Sequence, residues 1–122
     1  HSNGYSLVRK LLKYYDYDID TLLKPTKIYT ECFDIMSKYQ NELLGMAHIT
    51  GGGIIDNILR IMPYNLNVTT NIPIENEFLW IMENAKLTKN EMLRTYNCGY
   101  GIALIFREGF VTDEFDKIGE IV

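Results

Sequence analysis

Helical and strand-like patterns alternate along this chain with no repeat and no linker between them. That predicts one mixed α/β domain of the α+β kind over residues 1–122. Two observations carry the prediction. Apolar residues recur at three- and four-residue steps in several segments, and short continuous apolar runs bounded by glycine, proline or asparagine stand between them. The length agrees, since 122 residues suffice for one real core and not for two.

The first element is a helix from about Asn3, a good N-cap, to about Tyr15, with Leu7, Val8, Leu11, Leu12 and Tyr15 on one face. A short helical turn over residues 21–24 is stopped by Pro25. A second amphipathic helix fits residues 28–39, through Ile28, Cys32, Ile35, Met36 and Tyr39. Residues 43–49 read as a short buried strand. Gly51-Gly52-Gly53 breaks it, and residues 54–62 resume a helical period that Pro63 ends. Residues 66–70 are a weaker strand, and residues 75–85 a helix with Phe78, Leu79 and Met82 inward. Thr88-x-x-Glu91 has the form of a capping box opening a helix to about Arg94. Residues 99–106 and 117–122 complete the elements as strands.

Composition narrows the function. The chain is 47% hydrophobic and 23% charged, which is ordinary for a globular domain. Twelve basic against sixteen acidic residues give a net charge of −4. That argues against a general nucleic-acid binder, which needs surplus Lys and Arg to neutralise phosphates. One small phosphorylated ligand is still compatible, because a single loop can hold a phosphate. Cys32 and Cys98 have neither a disulfide-framework nor a metal-ligand spacing, so two thiols in a reducing cytosol are expected. No apolar run is long enough to span a membrane, and no signal-peptide pattern opens the chain.

The strongest chemical signal is strand, then Thr50-Gly51-Gly52-Gly53, then helix. Glycines let the backbone turn tightly and approach a ligand closely, while a helix start offers unpaired N–H groups to an anion. No Gly-Lys-Ser/Thr follows, so this is not a Walker loop. A steric need of the turn explains the triplet equally well, and from spacing the two readings stand even. His48, two residues before the loop, is either a proton donor or anion contact, or a histidine satisfied by backbone at a strand end. His1-Ser2-Asn3-Gly4 sets polar side chains ahead of a helix. Arg94 and Asn97 precede an apolar strand, as a cation and hydrogen-bond donor for a ligand or as a surface Arg and an Asx-type turn. No base can be assigned to Cys98 as a nucleophile.

These segments together resemble one family. His1-Ser2-Asn3-Gly4-Tyr5-Ser6-Leu7-Val8-Arg9 resembles the HSNGYSLVR signature of AIR synthetases, and Pro25-Thr26-Lys27-Ile28-Tyr29 their PTRIY segment. Ala47-His48-Ile49-Thr50-Gly51-Gly52-Gly53, with Asp56-Asn57 and Arg60, resembles AHITGGG…EN.PR. The run from Glu91 through Arg94, Asn97 and Gly99 to Gly101 resembles EM.RTFN.G.G, and Lys117-Ile118-Gly119 a KIG before the last strands. Asp56 and Leu59 depart from the usual glutamate and proline. The stretch between Phe106 and Lys117 is shorter than the helix-bearing segment usual there.

The resemblance implies a C-terminal α/β domain of helices packed on a mixed sheet, partly ferredoxin-like. It implies that an N-terminal domain carrying most of the ATP and Mg²⁺ site precedes it, in a cytoplasmic homodimer. The implied reaction is ATP-dependent ring closure of formylglycinamidine ribonucleotide in purine biosynthesis. His1 and His48 are then the catalytic candidates, and Ser2, Asn3, Thr50, Gly51, Gly52, Gly53, Arg94 and Asn97 the substrate- or phosphate-binding ones, with no metal ligand in this domain. Two alternatives stand beside it: another enzyme of the same ATP-binding superfamily, and a non-catalytic phosphate-binding or assembly module.

Overall fold

The computed structural model describes residues 5–15, 17–18 and 32–122. The expected turn at residues 21–24, the start of the residue 28–39 helix, and the candidate site residues His1, Ser2 and Asn3 lie outside them.

Among the described residues nine elements follow in chain order. They are α1 (Tyr5–Leu12), α2 (Cys32–Lys38), β1 (Leu43–His48), α3 (Gly53–Leu59), β2 (Val68–Thr70), α4 (Asn76–Ala85), α5 (Lys89–Thr95), β3 (Ile102–Phe106) and β4 (Gly119–Ile121). Helices and antiparallel strands thus share one α+β domain. The finer expectation of a mixed sheet needs correction for the described strands, because both pairings are antiparallel. β1 pairs with β3, setting Ala47 against Ala103 and His48 against Ile102, and β2 pairs with β4, setting Val68 against Ile121.

The core explains why these segments hold together. α3 contributes Ile54, Ile55 and Ile58, and α5 contributes Met92 and Leu93 with Tyr96 at its C-cap. Val8 and Leu11 of α1 and Ile81 of α4 join them, with Ala47 and Ala103 from the first ladder. The alanine pair is small and buried, so its face of the ladder belongs to the core. The other face of β1 is open: Leu44, Met46 and His48 are exposed. This corrects the reading of residues 43–49 as a buried strand: only one face of it is buried. The period of two was present, but it alternated two apolar sets rather than apolar with polar.

Local signals placed the helix ends. Thr88 Oγ1 accepts from the Glu91 N–H at 3.2 Å, and Glu91 Oε2 accepts from the Thr88 N–H at 2.6 Å, closing the capping box. α3 continues past Leu59 in tight turns, with Ile61 N–H bonded to Ile58 O and Met62 N–H to Leu59 O, before Pro63. The short connection from β3 to β4 holds by aromatic packing. Phe106 stacks between Phe110 at 4.0 Å and Phe115 at 5.7 Å, and Tyr39 meets all three edge-on. Arg107 anchors the start of this connection by donating to Asn41 O at 2.7 Å. Among the described residues no helix is long and apolar enough to cross a membrane.

Candidate functional site

The chain leaves β1 at His48, and Ile49 is still tied to the sheet through a 2.8 Å bond from its N–H to Gly101 O. It then turns sharply through residues 50–53 into α3. Gly53 N–H closes the turn on Thr50 O at 3.1 Å. Gly52 sits in the left-handed region at φ 97° and Gly53 at φ 68°, so both need glycine for the turn itself.

The three glycines do different work. A Cβ on Gly53 would lie 2.3 Å from Leu93 O and 2.7 Å from the Arg94 carbonyl carbon, so this residue also lets α3 pass against the end of α5. A Cβ on Gly52 would meet the Asp56 Cβ at 3.3 Å. At Gly51 nothing lies within 4 Å, its φ is not positive, and the residue is exposed. The fold accounts for Gly52 and Gly53. It makes no such demand at Gly51, whose open backbone leaves room for a ligand.

Asn57 fixes the loop from below. It is buried, and its Nδ2 faces three loop carbonyls: Gly53 O at 2.7 Å, Gly51 O at 3.1 Å and Thr50 O at 3.2 Å. Its Oδ1 lies 3.4 Å from Thr50 Oγ1 and accepts from Arg60 Nη1 at 3.3 Å. Two cations flank this arrangement. Arg94 forms an ion pair with Asp56 that ties α5 to α3. Both side chains are substantially exposed, so the pair contributes at most about 1 kcal/mol and matters mainly for placing the guanidinium. Arg60 is exposed and makes no ion pair among the described residues.

The structure therefore brings Thr50, Gly51, Gly52, Gly53 and Arg94 together with Asp56, Asn57 and Arg60. The last three were visible in the sequence only as parts of a motif. The four-residue steps from Gly53 to Asn57 and from Asp56 to Arg60 were the available signal that they share the loop's side of a helix. α3 itself is only seven residues long, so the loop's own peptide N–H groups, rather than a long helix dipole, are what it offers an anion.

Two candidates stand apart. His48 is exposed beside Met46 on the open face of β1, where its backbone joins the ladder opposite Ile102 and its imidazole makes no hydrogen bond or ion pair with a described residue. Asn97 is buried after α5. Its Oδ1 accepts from the Gly99 N–H at 2.9 Å, the Asx-type turn that was one of its two readings, while its Nδ2 is buried with no partner among the described residues. An unmatched buried donor costs about 1–3 kcal/mol, which the fold must offset elsewhere. A half-open cleft of about 280 Å³ near Cys98, Gly99 and Tyr100 is lined by Glu75, Glu77 and Asp116 and by no residue of the glycine loop. Its acidic wall repels phosphate, so it is not the loop's site.

Cys32 and Cys98 are not joined by a disulfide. Burial pushes the Cys98 thiol up to about 12, with Lys89 only partly opposing the shift. It is thus a neutral thiol at pH 8 and a poor nucleophile. Alkylation at pH 8 should be slow at Cys98 in the folded protein and fast after denaturation. Rapid labelling of Cys98 in the folded state would contradict this.

Comparison with known proteins places the arrangement in a family. Residues 1–120 match the family described as AIR synthase related protein, C-terminal domain. A phosphoribosylformylglycinamidine cyclo-ligase of Methylobacillus flagellatus is 40% identical over 119 aligned residues, covering 86% of this chain and 34% of that protein. The protein of the same name from Xylella fastidiosa strain Temecula1 is 38% identical over 122, covering 86% and 34%. The chain spans about a third of the length of these relatives. With the family match running from α1 through the glycine loop and α5 into β4, this chain belongs to the AIR synthase related protein family, as its C-terminal domain.

Proposed function

We propose that this chain serves as the C-terminal domain of a phosphoribosylformylglycinamidine cyclo-ligase, a cytoplasmic homodimer acting on formylglycinamidine ribonucleotide with ATP and Mg²⁺. The observation that carries the reading is the family match over residues 1–120, which includes the complete glycine loop. In the proposed reaction a phosphoryl group passes from ATP to the substrate's amide oxygen, and ADP leaves. The amidine nitrogen then forms a bond to that carbon, the carbon–oxygen bond breaks, and phosphate departs with the electron pair.

In this reading the domain holds and orients phosphate. Gly51 and Gly52 offer backbone N–H groups, Thr50 a hydroxyl, and Arg94 a guanidinium. Gly53 sets the turn that presents them. Charge gathered on phosphate oxygens is stabilised best by donors already fixed in place. Ser2 and Asn3 add hydrogen bonds from the chain's start, while Asn97, enclosed after α5, contributes by holding the Gly99 turn. His48 and His1 are the candidates to move the proton lost by the attacking nitrogen. Among the described residues no group of three His, Cys, Asp or Glu side chains is placed to hold a metal ion. The reading therefore assigns the Mg²⁺ ligands to the N-terminal domain, which also carries most of the ATP site.

Full-length protein given formylglycinamidine ribonucleotide and Mg-ATP should release ADP in step with aminoimidazole ribonucleotide, while the 122-residue chain alone should release neither. A full-length protein that is folded but inactive with this substrate would overturn the assigned reaction. Turnover by the isolated chain would overturn the two-domain cleft.

A further inference from the structure

The direction in which the glycine loop presents its peptide groups is set from within α3. Asn57 is 5% exposed, and every polar atom of its amide is engaged. Its orientation is unambiguous. A flipped amide would press an oxygen against the carbonyl oxygens of Thr50, Gly51 and Gly53, and would turn a donor toward Arg60, which has no acceptor to give. Two N–H bonds therefore serve three carbonyls, the shortest at 2.7 Å to Gly53 O and the others shared.

Planarity of the peptide then fixes what those carbonyls leave behind. The protein has no cis peptide among its described residues. In a trans peptide the C=O of one residue and the N–H of the next point opposite ways. Because Thr50 C=O and Gly51 C=O face Asn57, the N–H groups of Gly51 and Gly52 face away from it. Neither donates to another group among the described residues, whereas Gly53 N–H is used within the turn. Without the anchor nothing else described holds Gly51 C=O, and its peptide is free to rotate and present oxygen where it now presents N–H. The sign of the loop's surface thus depends on one side chain that a ligand at the loop need not touch.

We infer that Asn57 is the positioning residue of the glycine loop, holding its carbonyls inward so that Gly51 and Gly52 present only N–H donors to a phosphate. This rests on the reading of the loop as a phosphate holder. Arg60, bonded to the far end of the same amide, helps keep Asn57 in that orientation.

The isosteric variant Asn57→Asp removes the donor and places a carboxylate against the three carbonyls. The test compares, in the full-length protein, affinity for formylglycinamidine ribonucleotide with affinity for its dephosphorylated ribonucleoside, and affinity for ATP with affinity for adenosine. The expected result is that at least one phosphate-bearing ligand loses tenfold or more while its phosphate-free counterpart changes less than threefold. Equal losses in both members of each pair would show a structural role only and overturn the inference. So would unchanged affinities in a folded variant. Gly51→Val run in parallel separates the two layers of the argument. If Gly51→Val weakens the phosphate-bearing ligand and Asn57→Asp does not, the loop reading stands and the positioning role falls. If neither has an effect, the loop reading falls first. Should Asn57→Asp fail to fold, amide exchange on the unaltered protein decides. Gly51 and Gly52 amides unprotected without ligand and protected with it support the inference, and protection without ligand overturns it.

Discussion

Gly53→Ala is expected to destabilise the domain by about 3 kcal/mol or more, a large part of the margin of a domain this size. Two costs add. The residue sits at φ 68°, where a Cβ costs about 1–2 kcal/mol. That Cβ would also lie 2.3 Å from Leu93 O and 2.8 Å from the Leu93 carbonyl carbon, which are backbone atoms that no rotamer change can move. Relief requires α3 and α5 to separate. That would loosen Ile54 and Met92, both fully buried at the centre of the core, where overpacking costs about 1–3 kcal/mol. Urea unfolding of the variant should show a clearly lower midpoint at an unchanged slope. A change within 0.5 kcal/mol, inside the usual surface range, would mean the helices do not meet as described.

How far the sequence carried depends on how local each signal was. The capping box at Thr88 and Glu91 was legible because both partners lie within one helical turn, and the Asx turn at Asn97 for the same reason. The helical period of residues 54–62 gave α3 and its apolar face. What stayed hidden were contacts between segments far apart in sequence. Arg94 read either as a ligand-binding cation or as a surface Arg, and its ion pair stayed hidden because Asp56, its partner, is 38 residues away. The glycine triplet read as steric or functional with equal force, because only the approach of α5 shows that Gly53 is steric and that Gly51 is not. Asn57 carried no signal of its own: an asparagine inside a helix period looks solvated until its amide is seen beneath a loop. His48 was expected at the end of a buried strand, yet it shares its face of the strand with exposed Leu44 and Met46. The family motifs gave Arg94 and the loop as parts of one signature, and in the structure Arg94 pairs with Asp56, three residues beyond the loop. The phosphate-binding role assigned to them remains a proposal.

Gly51 is where the central claim is most exposed to measurement. A side chain there has open space on every side and an ordinary backbone conformation, so Gly51→Val should alter stability by no more than about 0.5 kcal/mol. The same side chain stands on the loop's exposed surface, where a phosphate must approach the N–H groups of Gly51 and Gly52. Holding the ligand off by the width of a valine removes charge-assisted hydrogen bonds of about 1.5–3 kcal/mol each, or tenfold and more in affinity. Gly52→Val and Gly53→Ala cannot isolate this effect, since both also disturb the turn. The direct measurement is the dissociation constant of formylglycinamidine ribonucleotide and of ATP for full-length protein carrying Gly51→Val, alongside its melting temperature. The account predicts an unchanged melting temperature with one of the two ligands bound at least tenfold more weakly. Normal affinity for both in the folded variant would contradict it and leave the glycine loop a purely structural turn.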